Sequence, residues 1–343
     1  MHRKNGRLFH KSLTIAGLLL LTFLESVAGA VPKVKVGVLM PLTGDFAYVG
    51  EIARKSILAA VPSGDIEFIF EDSACDAKKA LSGYRKLLEM DGARMFLGPC
   101  CGNELESIAP LLEKNGSLVM SLCSSTGELF MRSNGRIISP VFSIEAESQF
   151  NGDYLESEGY QNIAIVYFDN AFSVAHETAF KRTLVRAKAS TYKFDKLDQE
   201  AVRDISLKLR RDAPDAIYVP DFTPFALSFA RQLKRIGLGN IPLFSIHAVQ
   251  TESLIGAEGS AADGIVYSHP DIGSESADAY YPARAASLLN SAIKYCGDSV
   301  SCVKQQVLGN SSLTKDGTME GTLVLKTVKN GKFVRFLKTT GRH

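Results

Sequence analysis

Ser121, Ser124, Ser125 and Thr126 fall within one short stretch between two apolar segments. Hydroxyls beside the first N–H groups of a helix can hold a carboxylate or another anion. The same stretch also fits plain helix capping, since Ser125-Thr126-Gly127-Glu128 has the spacing of a capping box. Tyr48, Phe172 and Phe222 are read as loop aromatics that could wall a pocket. Catalytic patterns are missing from the chain. There is no G-x-S-x-G, H-E-x-x-H or P-loop, and Gly37 to Gly50 lacks the dinucleotide-binding glycine spacing. Beyond the N-terminal region the histidines are His176, His247, His269 and His343, and no spacing joins them to a nucleophile or a metal set. His176 falls on a predicted helix and is expected at the surface. No enzyme, cofactor or metal is therefore expected.

These residues need elements to position them. Lys33–Met40 is a short β-branched run that reads as a buried strand. Ile52, Ala53, Ile57, Leu58 and Val61 then recur at helical spacing. Further strands are expected at 66–71, 94–97 and 117–121, and helices at 77–90 and 105–114. The pattern restarts at Asn162–Tyr167, with strands at 192–194, 216–219, 242–246 and 264–267 separated by helices. Alternating strands and helices call for parallel sheets with right-handed crossovers. The fold class expected is α/β, as two doubly wound lobes in series. Lys329-Asn330-Gly331 between two β-rich runs is a hairpin signal near the end of the chain. In such sheets ligands bind beyond the C-terminal strand ends. The loops there run 41–49, 98–103, 121–128, 169–172, 220–224 and 247–250.

The N-terminus reads as an export signal. Residues 1–11 are basic, Leu13 to Leu24 is apolar and uncharged, and Ala28 and Ala30 supply the small residues of a cleavage site. The apolar run is too short for a membrane span of about 20 residues. Losing four basic residues and Glu25 with residues 1–30 takes the formal net charge from +2 to −1. A nearly neutral chain without a basic run offers no electrostatic case for nucleic-acid binding. The 343 residues, 45% hydrophobic and 22% charged, also exclude a disordered or low-complexity chain.

Export bears on the cysteines. An even number in an oxidising compartment favours disulfides, and six remain: Cys75, Cys100, Cys101, Cys123, Cys296 and Cys302. Cys75 is expected to pair with Cys101, because the loops after the second and third strands share one sheet edge. Cys100 is the rival partner. Cys296 and Cys302 are expected to close a small loop. Cys100 and Cys123 are then either paired with each other or free.

With these residues in view, the chain resembles the branched-chain amino-acid binding family of type I periplasmic binding proteins, components of ABC transporters. The resemblance opens on Lys33-Val-Lys-Val-Gly-Val-Leu-Met-Pro-Leu-Thr-Gly44 and continues through Glu71–Asp76, Leu97–Cys101, Gly116–Ser121, Asp169–Ser173, Arg231–Leu238 and Asn330–Val334. It implies two lobes joined by three crossovers around a central cleft. Residues 1–30 would be the signal peptide, 31–142 and 269–320 the first lobe, and 143–268 and 321–343 the second. It implies a small-molecule ligand, an inner-membrane permease as partner, a periplasmic location and a monomer. A ligand-sensing module feeding a membrane receptor is the alternative. The implied ligand-binding positions are Tyr48, Gly102, Asn103, Cys123, Ser124, Ser125, Phe172, Phe222 and His247. Gly102 stands where a serine is common, and Phe222 where a tyrosine is often found. His247 stands where the family carries an acid for the ligand ammonium, and an imidazole is a poor ammonium partner. The expected ligand head is accordingly anionic or neutral, with an apolar or aromatic body suited to Phe172 and Phe222.

Overall fold

A computed structural model describes residues 33–62, 65–123, 126–196, 198–255, 259–273 and 275–336. The leader read at residues 1–30, and Ser124 and Ser125, lie outside the described residues. Two sheets carry the fold. The first has the order β2-β1-β3-β4-β5 and is parallel throughout. Its strands are β1 (Val34–Met40), β2 (Ile66–Asp72), β3 (Met95–Leu97), β4 (Leu118–Met120) and β5 (Ile137–Ile138). The connecting helices are α1 (Ala47–Ala60), α2 (Ala77–Glu89), α3 (Gly102–Leu112) and α4 (Gly127–Arg132). Burial on both faces explains why β1, β3 and β4 are almost wholly apolar.

The second sheet has the order β12-β11-β10-β9-β8-β6-β7. It contains β6 (Asn162–Phe168), β7 (Lys188–Phe194), β8 (Ala216–Val219), β9 (Leu243–Ser245), β10 (Ile265–Pro270), β11 (Leu323–Lys329) and β12 (Lys332–Arg335). Only β11 and β12 break the parallel order, each antiparallel to its neighbour. They form the expected hairpin, with Asn330 and Gly331 both at positive φ. The helices here are α5 (Ile144–Ser157), α6 (Ala171–Thr183), α7 (Gln199–Asp212) and α8 (Thr223–Arg235). Two helices return towards the first sheet, α9 (Ala277–Cys296) and α10 (Val300–Leu308). Ala285, Leu289, Ile293, Val303 and Val307 join its core with Val36, Val38 and Ile57.

Two expectations change. β7 spans seven residues rather than three, because an edge strand with polar alternation pairs with β6 along its whole length. His176 is fully buried rather than at the surface. Its helix packs against α5, which the sequence reading passed over.

Both sheets belong to one compact unit from Val34 onwards. Three passages join them, at 139–143, 271–276 and 309–322, and they are laced together. Ser139 N–H donates to Gly317 O (2.8 Å), Met319 N–H to Val141 O (2.7 Å) and Asp271 N–H to Thr322 O (2.9 Å). A small apolar core of Val141, Phe142, Ala277, Tyr281 and Met319 fills the space at these passages. Gly50 is required for close approach. A Cβ there would lie 2.1 Å from Pro41 O, so only glycine lets α1 seat against the loop after β1.

Candidate ligand-binding cleft

The loop after β1 is set by Asp72 at the end of β2. Its carboxylate accepts N–H bonds from Leu42 (2.8 Å), Thr43 (3.2 Å) and Ala74 (3.0 Å), and one from Thr43 Oγ1 (2.5 Å). These bonds favour the charged form and lower its pKa against the raising effect of burial. On the second sheet Asp221 does similar work. It accepts from Phe168 N–H (2.9 Å) and Phe222 N–H (2.8 Å), which fixes the turn into α8.

Between these loops lies a cavity of about 740 Å³. Tyr48, Gly102, Asn103 and Cys123 line it from the first sheet's side, and Phe172, Phe222 and His247 from the second's. Seven of the nine positions implied by the resemblance therefore share one cavity; the other two are Ser124 and Ser125. Tyr48 and Phe172 prove to sit in the first turns of α1 and α6 rather than in loops, and Phe222 is the N-cap of α8. Thr126, not Ser125, is the N-cap of α4, and its side chain makes no capping bond. Gly102 has open space where a Cβ would stand.

Four cysteines form part of the wall. Disulfides join Cys75 to Cys101 and Cys100 to Cys123, so the vicinal pair staples the loops after β2, β3 and β4 to one another. Cys296–Cys302 closes the turn between α9 and α10. Asn103 Nδ2 donates to Cys75 O (3.2 Å), and Cys101 N–H donates to Glu104 Oε2 (3.0 Å), which anchors the start of α3. The nearness of Glu104 to the sulfurs of Cys75 and Cys101 makes no metal site, because both sulfurs are spent in a disulfide.

Aromatic rings cross the cleft. Phe46, just ahead of α1, meets Phe222 edge-on at 5.3 Å, and Phe222 stacks on Phe172 at 5.1 Å. Phe172 in turn contacts the buried His176 ring at 4.7 Å. Phe46 was not singled out by the sequence, where it reads as an ordinary loop phenylalanine.

His247 is held by a residue the sequence reading also missed. Glu147, in the first turn of α5, is 1% exposed. Its carboxylate accepts from His247 N–H (3.0 Å) and Ser268 Oγ (2.6 Å) and pairs with His247 Nδ1 (2.8 Å). Burial raises the carboxyl pKa, but the charge and hydrogen bond of His247 outweigh it and hold the group at about 2. Glu147 reciprocally raises His247 despite its burial. His176 lies 3.9 Å from the same carboxylate, and burial depresses its pKa to about 4, so it is neutral near pH 7. Glu147 is thus ionised near pH 7, and its charge favours the protonated form of His247 against the opposing effect of burial.

Asp278, in the first turn of α9, also faces the cavity. Its carboxylate has no hydrogen-bond partner among the described residues. Burial pushes its pKa up to about 6, with the His247 charge opposing. Burial and the charge of Asp278 together raise the Tyr48 phenol to about 12.

Among solved structures, the leucine-binding protein LivK from Thermotoga maritima superposes with a TM-score of 0.77 at 17% identity, covering 89% of this chain and 98% of that one. A solute-binding protein of an ABC transporter from R. palustris, in complex with benzoate, gives 0.76 at 19% identity over 88% and 95%. A second one from R. palustris, in complex with 4-hydroxybenzoate, gives 0.75 at 18% over 89% and 95%. A search of curated protein sequences finds no match. Residues 33–287 match the sequence model of the periplasmic binding proteins, which bind solutes and are not enzymes, and the chain belongs to that family, with the type I α/β fold of its structural neighbours.

Proposed function

We propose that the chain is an exported, monomeric solute-binding protein of the periplasm. It holds a small polar ligand, amino-acid-like or carboxylate, between two lobes and passes it to an ABC permease. The first lobe would be residues 31–142 and 269–320, and the second 143–268 and 321–343. The observation that carries this reading is a cavity of about 740 Å³ walled from both sheets. That volume lies within the range of small-molecule sites, roughly 300–1,000 Å³. The ligands named for the solved neighbours, leucine, benzoate and 4-hydroxybenzoate, support a small organic molecule with a polar end. In this reading Tyr48, Gly102, Asn103, Cys123, Ser124, Ser125, Phe172, Phe222 and His247 contact the ligand. The lobes close because the closed state makes contacts with it that the open state cannot.

A thermal-shift screen of the purified protein against amino acids, amides, small carboxylates and aromatic acids tests the reading. A ligand at a hundred times its Kd stabilises by about 2.7 kcal/mol. Silence across the whole panel at millimolar concentration would count against a binding protein of this class. Ser125→Ala tests the grip, because α4 is capped at Thr126. Loss of a gripping hydroxyl weakens binding roughly tenfold or more. Unchanged affinity would remove Ser125 from the ligand contacts.

A further inference from the structure

The charges that face the cavity are unevenly distributed. Among its described lining residues there is no lysine and no arginine; the carboxylates are Asp45, Asp221 and Asp278, and the one basic side chain is His247. Two of these groups are already committed. The charge of His247 is matched by Glu147 behind it. Asp221 spends its oxygens on the N–H groups of Phe168 and Phe222. Asp45 is exposed at the rim. Asp278 alone combines partial burial, a place on the cavity wall and no hydrogen-bond partner among the described residues. A carboxylate in that setting is costly to keep charged and gains most from a cation brought against it.

The opposite end of the requirement is apolar. Phe46, Phe172 and Phe222 form a continuous ring surface that both sheets contribute to. Such faces accept an aromatic ring in offset or edge contact and also favour a nearby ammonium. A carboxylate ligand head would find no guanidinium or ammonium among the described lining residues, only the His247 imidazole already engaged by Glu147.

We propose that the ligand's polar head is a protonated amine received by Asp278, on a body carrying an aromatic ring that packs against Phe46, Phe172 and Phe222. The inference rests on the binding-protein reading and narrows it. It also reverses the head charge expected from His247. The acid missing from that position is supplied by the first turn of α9, which reaches the same cavity from another element.

The test is calorimetric titration of the purified protein with three probes of similar shape: phenethylamine, phenylalanine and 3-phenylpropionate. Phenethylamine and phenylalanine are expected to bind and 3-phenylpropionate to bind at least tenfold more weakly. Phenylalanine outbinding phenethylamine would place its carboxylate in a favourable site as well. Asp278→Asn is expected to weaken both amines roughly ten- to a hundredfold, the range for a lost charge-assisted hydrogen bond. Tighter binding of 3-phenylpropionate than of phenethylamine would overturn the inference. So would equal amine affinity in Asp278→Asn, or no amine binding while other compounds in the wider screen bind. In each of those cases the binding-protein reading stands. Silence of every compound in both panels would remove that reading along with the inference. The three-probe comparison on the unaltered protein needs no variant to fold.

Discussion

Replacing Asp278 with asparagine should stabilise the ligand-free protein near neutral pH. The carboxyl has its folded pKa raised from 3.8 to about 6, chiefly by burial. Between those values the folded state holds the proton more tightly than the unfolded state does. Stability therefore falls as pH rises through this window and levels off above it. A difference of about two pH units corresponds to about 3 kcal/mol. Asparagine keeps the shape and removes the charge, so Asp278→Asn should exceed the unaltered protein by up to about 3 kcal/mol at pH 7.5. That is a rise on the order of 5 °C in Tm for a chain of this size. At pH 4 the advantage should shrink below about 1 kcal/mol, because the folded carboxyl is then already protonated. Paired thermal melts at both pH values measure the difference directly, and titrations common to both proteins cancel. A variant less stable at pH 7.5, or an advantage equal at pH 4 and 7.5, would mean that Asp278 is well solvated or satisfied, and the physical basis for its role in the cleft would be lost.

Glu147→Gln removes the charge that favours a protonated His247 and breaks its bonds to His247 and Ser268, and should cost up to about 3–5 kcal/mol in urea unfolding at pH 7. Glu147, held at about 2, contributes stability above the unfolded carboxyl value that is lost as pH falls towards 2, and the raised His247 contributes stability that is lost as pH rises through its folded pKa. The gap between the two proteins should therefore narrow at both extremes; a gap unchanged between pH 3 and pH 7 would argue against the ion pair. Removing the Cys296–Cys302 bond by a double serine substitution should cost only about 2 kcal/mol, since it closes a short loop. Phe222→Ala breaks ring contacts with both Phe46 and Phe172. It should enlarge the ligand-free radius of gyration in solution scattering, and an unchanged profile would show that these rings do not hold the lobes together.

How far the sequence could be read depended on the range of the interactions involved. β1 was legible because a strand buried on both faces is apolar throughout, and the final hairpin because Asn-Gly announces its own turn. β7 reads short in sequence because Lys188, Ser190 and Thr191 are polar, as the outer edge of a sheet permits. His247 could be found as a departure from a family pattern, but not its state. Its partner Glu147 lies 100 residues earlier, in a helix whose apolar signal is weak. Asp278 looks in sequence like any acid in a first helical turn, the usual complement to the helix dipole. Only the packing of α9 beside the cleft gives it another meaning. Phe46 likewise acquires its role from Phe222, which belongs to the other sheet.

The stapled rim has a consequence for how the chain matures. In chain order the four cysteines are 75, 100, 101 and 123, and the bonds 75–101 and 100–123 interleave. A chain oxidised as it emerges meets Cys100 before Cys101, and the sequential pairing 75–100 with 101–123 closes loops of nearly the same length. Loop entropy thus hardly separates the native pairing from its neighbour. The choice must come from the packed sheet, which fixes the direction in which each adjacent cysteine points. Oxidation ahead of strand assembly would let the wrong partner, one residue away, compete on nearly equal terms. Correct maturation then needs either delayed oxidation or thiol exchange that lets the fold select its own cross-links.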